Sequence, residues 1–170
     1  MKNHAAVAGA AVVFIAVAIG AGTVAPGSVE ASTVQCSSVS DQKMTLIQGE
    51  TACGTEADAT GRATGYGLDG IGYAKGTRGA TAVGVGVNGG VGASEGAGGI
   101  ATALGIGPDS VAITSVDDGS LSTAIAMGGS QALVANSDQG VLCQGNSAFA
   151  WNASSGAACL ATAVGIWRIR

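Results

Sequence analysis

Small and bulky residues alternate one by one along much of this chain. Thr81-Ala-Val-Gly-Val-Gly86 puts Thr, Val and Val on one side and Ala, Gly and Gly on the other. The pattern returns as Thr102-Ala-Leu-Gly-Ile-Gly107 and Thr123-Ala-Ile-Ala-Met-Gly128, each copy 21 residues after the last. A period of two is the strand signature, because successive side chains leave opposite sides of the pleat. Helix is disfavoured, since each interior glycine costs about 1 kcal/mol relative to alanine. Further columns keep the phase: Gly98, Gly119 and Gly140 align, as do Ile100, Leu121 and Leu142. Val111-Ala-Ile113 aligns with Ala132-Leu-Val134. Looser copies, Ser147-Ala-Phe-Ala-Trp-Asn152 and Thr162-Ala-Val-Gly-Ile-Trp167, follow at intervals of 24 and 15.

A short strand recurring at a fixed period of this size predicts a stacked solenoid. The expected fold is all-β: a parallel β-solenoid of 21 residues per coil, built from three sides of roughly seven residues with disulfide-bearing terminal caps. The expected division is a leader over 1–31, an N-terminal cap over 32–56, the solenoid over 57–167 and a tail over 168–170. Gly98, Gly119 and Gly140 are expected at corners with positive φ. Asp117-Asp118-Gly119 and Asp138-Gln139-Gly140 supply the matching turn chemistry. The aliphatic columns are expected inside, leaving the Ala/Gly columns as a flat outer side. The reverse assignment has a narrow Ala/Gly interior, and the bulky columns then need another chain to cover them.

The first residues read as an address. Lys2 precedes an apolar run from Ala5 to Ile19, and Val29-Glu30-Ala31 supplies small or aliphatic residues before a cleavage point after Ala31. The rival is an uncleaved anchor, although a run of Ala and Gly adds little insertion energy. Cys36, Cys53, Cys143 and Cys159 form an even set, which in an exported chain reads as disulfides. Four cysteines allow three connectivities; the local pairs Cys36–Cys53 and Cys143–Cys159 each close a loop of roughly 15 residues, contributing about 3 kcal/mol. Zinc is disfavoured, because no two cysteines stand at half-site spacing and the only histidine is His4, in the leader.

Composition narrows the function. Of 170 residues 30 are glycine and 11% are charged, with a net charge of −4. Positive mean hydropathy argues against a solvated disordered chain. Two prolines and no third-residue glycine period exclude collagen. No basic surplus favours nucleic acid.

Several motifs match only in letters. Gly65-Tyr-Gly-Leu-Asp-Gly70 and Gly84-Val-Gly-Val-Asn-Gly89 fit G-x-G-x-x-G, but no helical pattern follows either. Gly92-Ala-Ser-Glu-Gly96 fits the nucleophile elbow, yet Ser94 has no histidine base in the mature chain. Gly89-Gly-Val-Gly-Ala-Ser-Glu95 approaches a calcium nonapeptide with Ser94 where the aspartate belongs. Asn152-Ala-Ser154 is a glycosylation sequon. Thr81, Thr102 and Thr123 would stack as a single rank. Ice-binding solenoids generally present paired ranks.

The alternating small-residue strands resemble the left-handed β-roll heads of trimeric bacterial adhesins, over roughly 90 residues. The adhesin repeat is shorter, and that family's membrane anchor and coiled-coil stalk have no counterpart here. The overall plan is also similar to small secreted actinobacterial proteins of unknown function, and that resemblance implies no activity.

The expected function is an exported, non-catalytic structural, surface or binding module. It has no catalytic residue, no metal and no cofactor. Its partner is a cell-surface or extracellular ligand, not nucleic acid, with a membrane involved only if the leader stays uncleaved. The alternatives are a glycan-processing enzyme on a β-helix, with Asp117 and Asp138 as its carboxylate pair, or an N-terminally anchored surface protein. A homo-oligomer sealed through the Ala/Gly face is a further expectation.

Overall fold

The computed structural model describes residues 31–117, 119–136 and 140–169. The leader up to Glu30, Asp118, Asp138 with its neighbours, and Arg170 lie outside them. Within them the chain is all β. Fifteen strands run in the order β1 (Thr33–Val39), β2 (Lys43–Gln48), β3 (Thr51–Ala57), β4 (Arg62–Leu68), β5 (Ile71–Thr77), β6 (Thr81–Val87), β7 (Val91–Ala97) and β8 (Ile100–Ile106). They continue as β9 (Val111–Val116), β10 (Leu121–Met127), β11 (Gln131–Val134), β12 (Val141–Gln144), β13 (Ser147–Asn152), β14 (Ala158–Thr162) and β15 (Gly165–Ile169).

Consecutive strands from β3 to β11 alternate between two sheets, so each coil is one strand up and one strand back. The first sheet has eight strands in the order β1-β4-β6-β8-β10-β13-β14-β15, the second seven in the order β12-β11-β9-β7-β5-β3-β2. The expected parallel solenoid is present, but with two sides instead of three. Short apolar-alternating runs such as Thr81–Val87 and Val91–Ala97 lie only three residues apart, which fits a tight corner and leaves no length for a third side. At both ends the parallel stack gives way to antiparallel strands: β1 on β4, β2 on β3, β12 on β11, and β13, β14 and β15 in succession on β10. The two looser sequence copies therefore belong to this antiparallel end and are not further coils.

The alternation points the other way from the leading expectation. In β6 the residues Ala82, Gly84 and Gly86 are buried, while Thr81, Val83, Val85 and Val87 are partly exposed. The same holds in β8 and β10, where the inward residues are Ala, Gly and Ser. The reason is sheet separation. A Cβ at Gly84 would fall inside the shell of the Tyr73 carbonyl oxygen and 2.7 Å from that of Gly92. A Cβ at Gly92 would lie 2.8 Å from the Ala103 carbonyl oxygen. Backbone meets backbone across the middle, much closer than the ~10 Å usual between packed sheets. The Ala/Gly columns are therefore the seam between the two sheets of one chain and cannot seal an oligomer.

With methyl groups inside, little apolar area per residue leaves water. Hydrogen bonding carries much of the order. The ladders continue through the corners, as when Asn88 N donates to Leu68 O at 2.8 Å and Gly107 N to Val87 O at 2.9 Å. Gly98, Gly119 and Gly140 occupy the expected corners, with φ of 74°, 79° and 78°. Some buried hydroxyls join in: Ser94 Oγ donates to Ala101 O at 2.7 Å, and Ser38 Oγ pairs with Thr55 Oγ1 at 2.7 Å, whereas Thr114 Oγ1 and Ser122 Oγ make no hydrogen bond among the described residues.

Both disulfides cross the interior. Cys36–Cys53 joins β1 to β3, and Cys143–Cys159 joins β12 to β14, so each end has one clamp between the sheets. Such bonds fit an oxidising compartment.

Candidate interaction face

A narrow small-residue interior forces most large apolar side chains outward, with Val34, Val116 and Val134 the buried exceptions among the described residues, and the register decides where each one stands. On the eight-stranded sheet, Tyr66, Val85, Leu104 and Ile125 are level with one another. The row continues through Phe149, Leu160 and Trp167 on the antiparallel strands. A second row carries Leu68, Val87, Ile106 and Met127. From β6 to β15 the residues on the outward side of this sheet are uncharged, although the edge strand β15 also carries the exposed Arg168, which is level with the inward Cys159 and so on the other side from Trp167. Arg62, at the corner of β4, is the nearest charge on that side. The face is continuous and apolar, with threonines interspersed.

The opposite face is built differently. Lys43, Glu56, Lys75 and Glu95 occupy one row in alternating sign. Lys43 Nζ lies 3.1 Å from Glu56 Oε1, and Lys75 Nζ 3.4 Å from Glu95 Oε1. Glu95, with Glu56 beyond it, raises the Lys75 pKa above the ordinary lysine value. Opposite charges on adjacent strands favour this register. They keep this row wet, although Ile71, Tyr73, Ile113 and Leu142 stand exposed elsewhere on the same face. The eight-stranded sheet has no such charged row.

The threonine column is broken. Thr102 is level with Thr123, but Thr81 is level with Ile100 and Thr102 with Val83. The interval between β6 and β8 is 19 residues and that between β8 and β10 is 21. A slip of two residues preserves which side chains face inward, so the strand pattern survives while the apparent repeat shifts. The outward row therefore reads Thr64, Val83, Thr102 and Thr123, not three stacked threonines.

The lettered motifs resolve into packing. Gly65, Gly67, Gly84 and Gly86 are strand glycines facing the interior, and strands follow both motifs. Ser94 is buried with its hydroxyl committed to a backbone carbonyl, so it can serve neither as nucleophile nor as calcium ligand. Asn152 is 1% exposed, and its Oδ1 accepts from Ser154 N at 3.0 Å and Ser154 Oγ at 3.1 Å. The sequon asparagine is buried at the start of an exposed turn, and its side chain is closed to a glycan.

Asp117 follows β9 and is exposed, its carbonyl accepting from Arg78 Nη2 at 3.2 Å. Asp138 lies outside the described residues, so the proposed carboxylate pair has no described geometry. Glu50, Asp69 and Asp109 line an open groove along one row of corners. Among the described residues no group of three or more His, Cys, Asp or Glu is placed to hold a metal ion.

A carboxylate missed at the sequence level does structural work. Asp58 Oδ1 accepts from Thr60 N, Thr60 Oγ1 and Gly61 N at 2.9, 3.1 and 2.7 Å, and Oδ2 accepts from Arg78 N of the next coil at 2.6 Å. The Arg78 amide, with those of Thr60 and Gly61, lowers the Asp58 pKa from 3.8 to about 2. Asp-x-Thr-Gly is an Asx-turn spacing, and that was the available signal.

A family model described as a family of unknown function matches residues 1–162. No curated protein and no solved structure matches the chain.

Proposed function

The chain belongs to the family of unknown function DUF6764, and from that premise we propose that it is an exported, non-catalytic structural or binding module. Its working surface is the outer face of the eight-stranded sheet. The observation that carries this reading is the charge-free apolar face itself, set against a salt-bridged face on the other sheet. Contiguous apolar surfaces of this extent on soluble proteins mark interaction sites. Export is supported by the apolar run from Ala5 to Ile19 and by the two interior disulfides. The non-catalytic reading is supported by the commitment of Ser94 to packing and by the lack of a histidine in the mature chain.

The test is retention of the oxidised protein by isolated cell wall or host matrix, with release of soluble sugar measured in the same tubes. Retention without sugar release, lost in Leu104→Lys/Ile125→Lys and kept in Ile113→Lys on the other sheet, is the expected result. Retention on neither material removes the adhesive reading. Sugar release abolished by Asp117→Asn/Asp138→Asn would replace it with the glycan-processing enzyme.

A further inference from the structure

We propose that the apolar face of the eight-stranded sheet docks against the same face of a second copy of this chain, forming a two-fold dimer. The inference rests on the reading that this face is the working surface, and it names the occupant; a paired face is closed to cell wall, so retention lost in Leu104→Lys/Ile125→Lys then reflects loss of the two-site dimer.

Three observations support a second copy. The first is area. Seven strands from β4 to β15 at about 4.8 Å spacing, each about 20 Å long, make a face of roughly 600 Å² before side-chain relief. Two such faces remove about 1,200 Å² or more together, which enters the range of stable interfaces. The second is charge. An isologous contact sets each patch against its own copy, so a charged residue near the axis would meet its like. From β6 to β15 the outward side offers none, and the one outward charge on the counted strands, Arg62, stands at the first residue of the outermost of them, β4, away from the centre. The third is shape. A sheet face needs no complementary concavity, and level rows such as Val85, Leu104 and Ile125 can interdigitate with the same rows of a partner. The Lys43–Glu56 and Lys75–Glu95 pairs stay on the outside of such a pair of solenoids.

The chain carries its own reporter. Its two tryptophans, Trp151 and Trp167, both stand on this face. Sedimentation equilibrium of the oxidised protein from 1 to 100 μM gives the mass, and tryptophan emission over the same dilution series gives the burial. The expected result is twice the chain mass at the upper end, with emission shifting to longer wavelength on dissociation. Leu104→Lys/Ile125→Lys should raise the dimer dissociation constant at least 100-fold with unchanged far-UV circular dichroism. Ile113→Lys should leave it unchanged. A single-chain mass throughout with concentration-independent emission overturns the proposal. So does a dimer indifferent to the lysine variant. Flotation of a monomeric chain with lipid vesicles would assign the face to a membrane instead. A monomer retained on cell wall through Leu104 and Ile125 refutes only the dimer; a dimer retained on nothing refutes only the adhesive function.

Discussion

Adding a single methyl group to the interior should harm this protein more than removing several from its surface. Gly92 on β7 faces the first sheet, and a Cβ there would stand 2.8 Å from the Ala103 carbonyl oxygen and 2.7 Å from the Val85 carbonyl carbon. Ordinary contact needs 3.4 Å or more, and both neighbours are backbone, so the sheets themselves must part. Overpacking typically costs 1–3 kcal/mol, and with no flexible side chain to yield, Gly92→Ala belongs at about 3 kcal/mol. Ile113 on β9 points outward from the same sheet and is 40% exposed. Truncating it removes apolar area that is already partly wet, about 1 kcal/mol. Urea unfolding of the oxidised protein, followed by far-UV circular dichroism, compares the two. The predicted order corresponds to a fall in Tm of roughly 10 °C for Gly92→Ala and a few degrees for Ile113→Ala. If Ile113→Ala costs more than Gly92→Ala, bulky residues fill the interior and the two-sheet seam described here is wrong.

Removal of Cys36–Cys53 or Cys143–Cys159 by paired alanine substitution should each cost about 3 kcal/mol in urea unfolding, because the two loops are alike in length, at separations of 17 and 16. Thr55→Val strands the buried Ser38 hydroxyl and should lose about 1–3 kcal/mol, whereas Ser38→Ala/Thr55→Val together should recover most of it; a double variant as weak as the single one contradicts the pairing. Asp58 has a folded pKa of about 2, below its ordinary 3.8. Its contribution is then full above pH 4 and lost as pH falls through 2. Unfolding measured across that window should show an acid loss that Asp58→Asn reduces.

The strands were legible because alternation with a period of two survives any assignment of inside and outside. Gly98 and Gly119 were legible as corners because positive φ selects glycine. The direction of the alternation was not, since Val85 and Gly84 alternate equally well whichever faces inward. The habit that large apolar residues lie inside fails where two backbones approach this closely. The available cue was Gly72, Gly84, Gly92 and Gly105, strand glycines that a solvent-facing column has no reason to require. The number of sides is hidden because the repeated motif marks only one strand per copy. The returning strand Val91–Ala97 has Ala93 and Glu95 on its outward side and Ser94 inward, so it lacks the bulky outward column. The repeat of 21 residues also concealed a two-residue slip between β6 and β8, invisible until Thr81 was seen level with Ile100. The functional face follows from the same inversion, so it emerged only with the interior.

Hydroxyl-radical footprinting of the unmodified oxidised protein, read by mass spectrometry, reports side-chain exposure residue by residue. It therefore tests the inverted alternation most directly. Ile71, Tyr73, Ile113 and Leu142 point outward on the salt-bridged side, whereas Val116 and Val134 point inward and are at most 2% exposed. Oxidation of the first four with protection of the two valines is the predicted result. Protection of Ile71 and Ile113 in the folded chain, with Val134 oxidised, would contradict the small-residue interior and the apolar working face that follows from it.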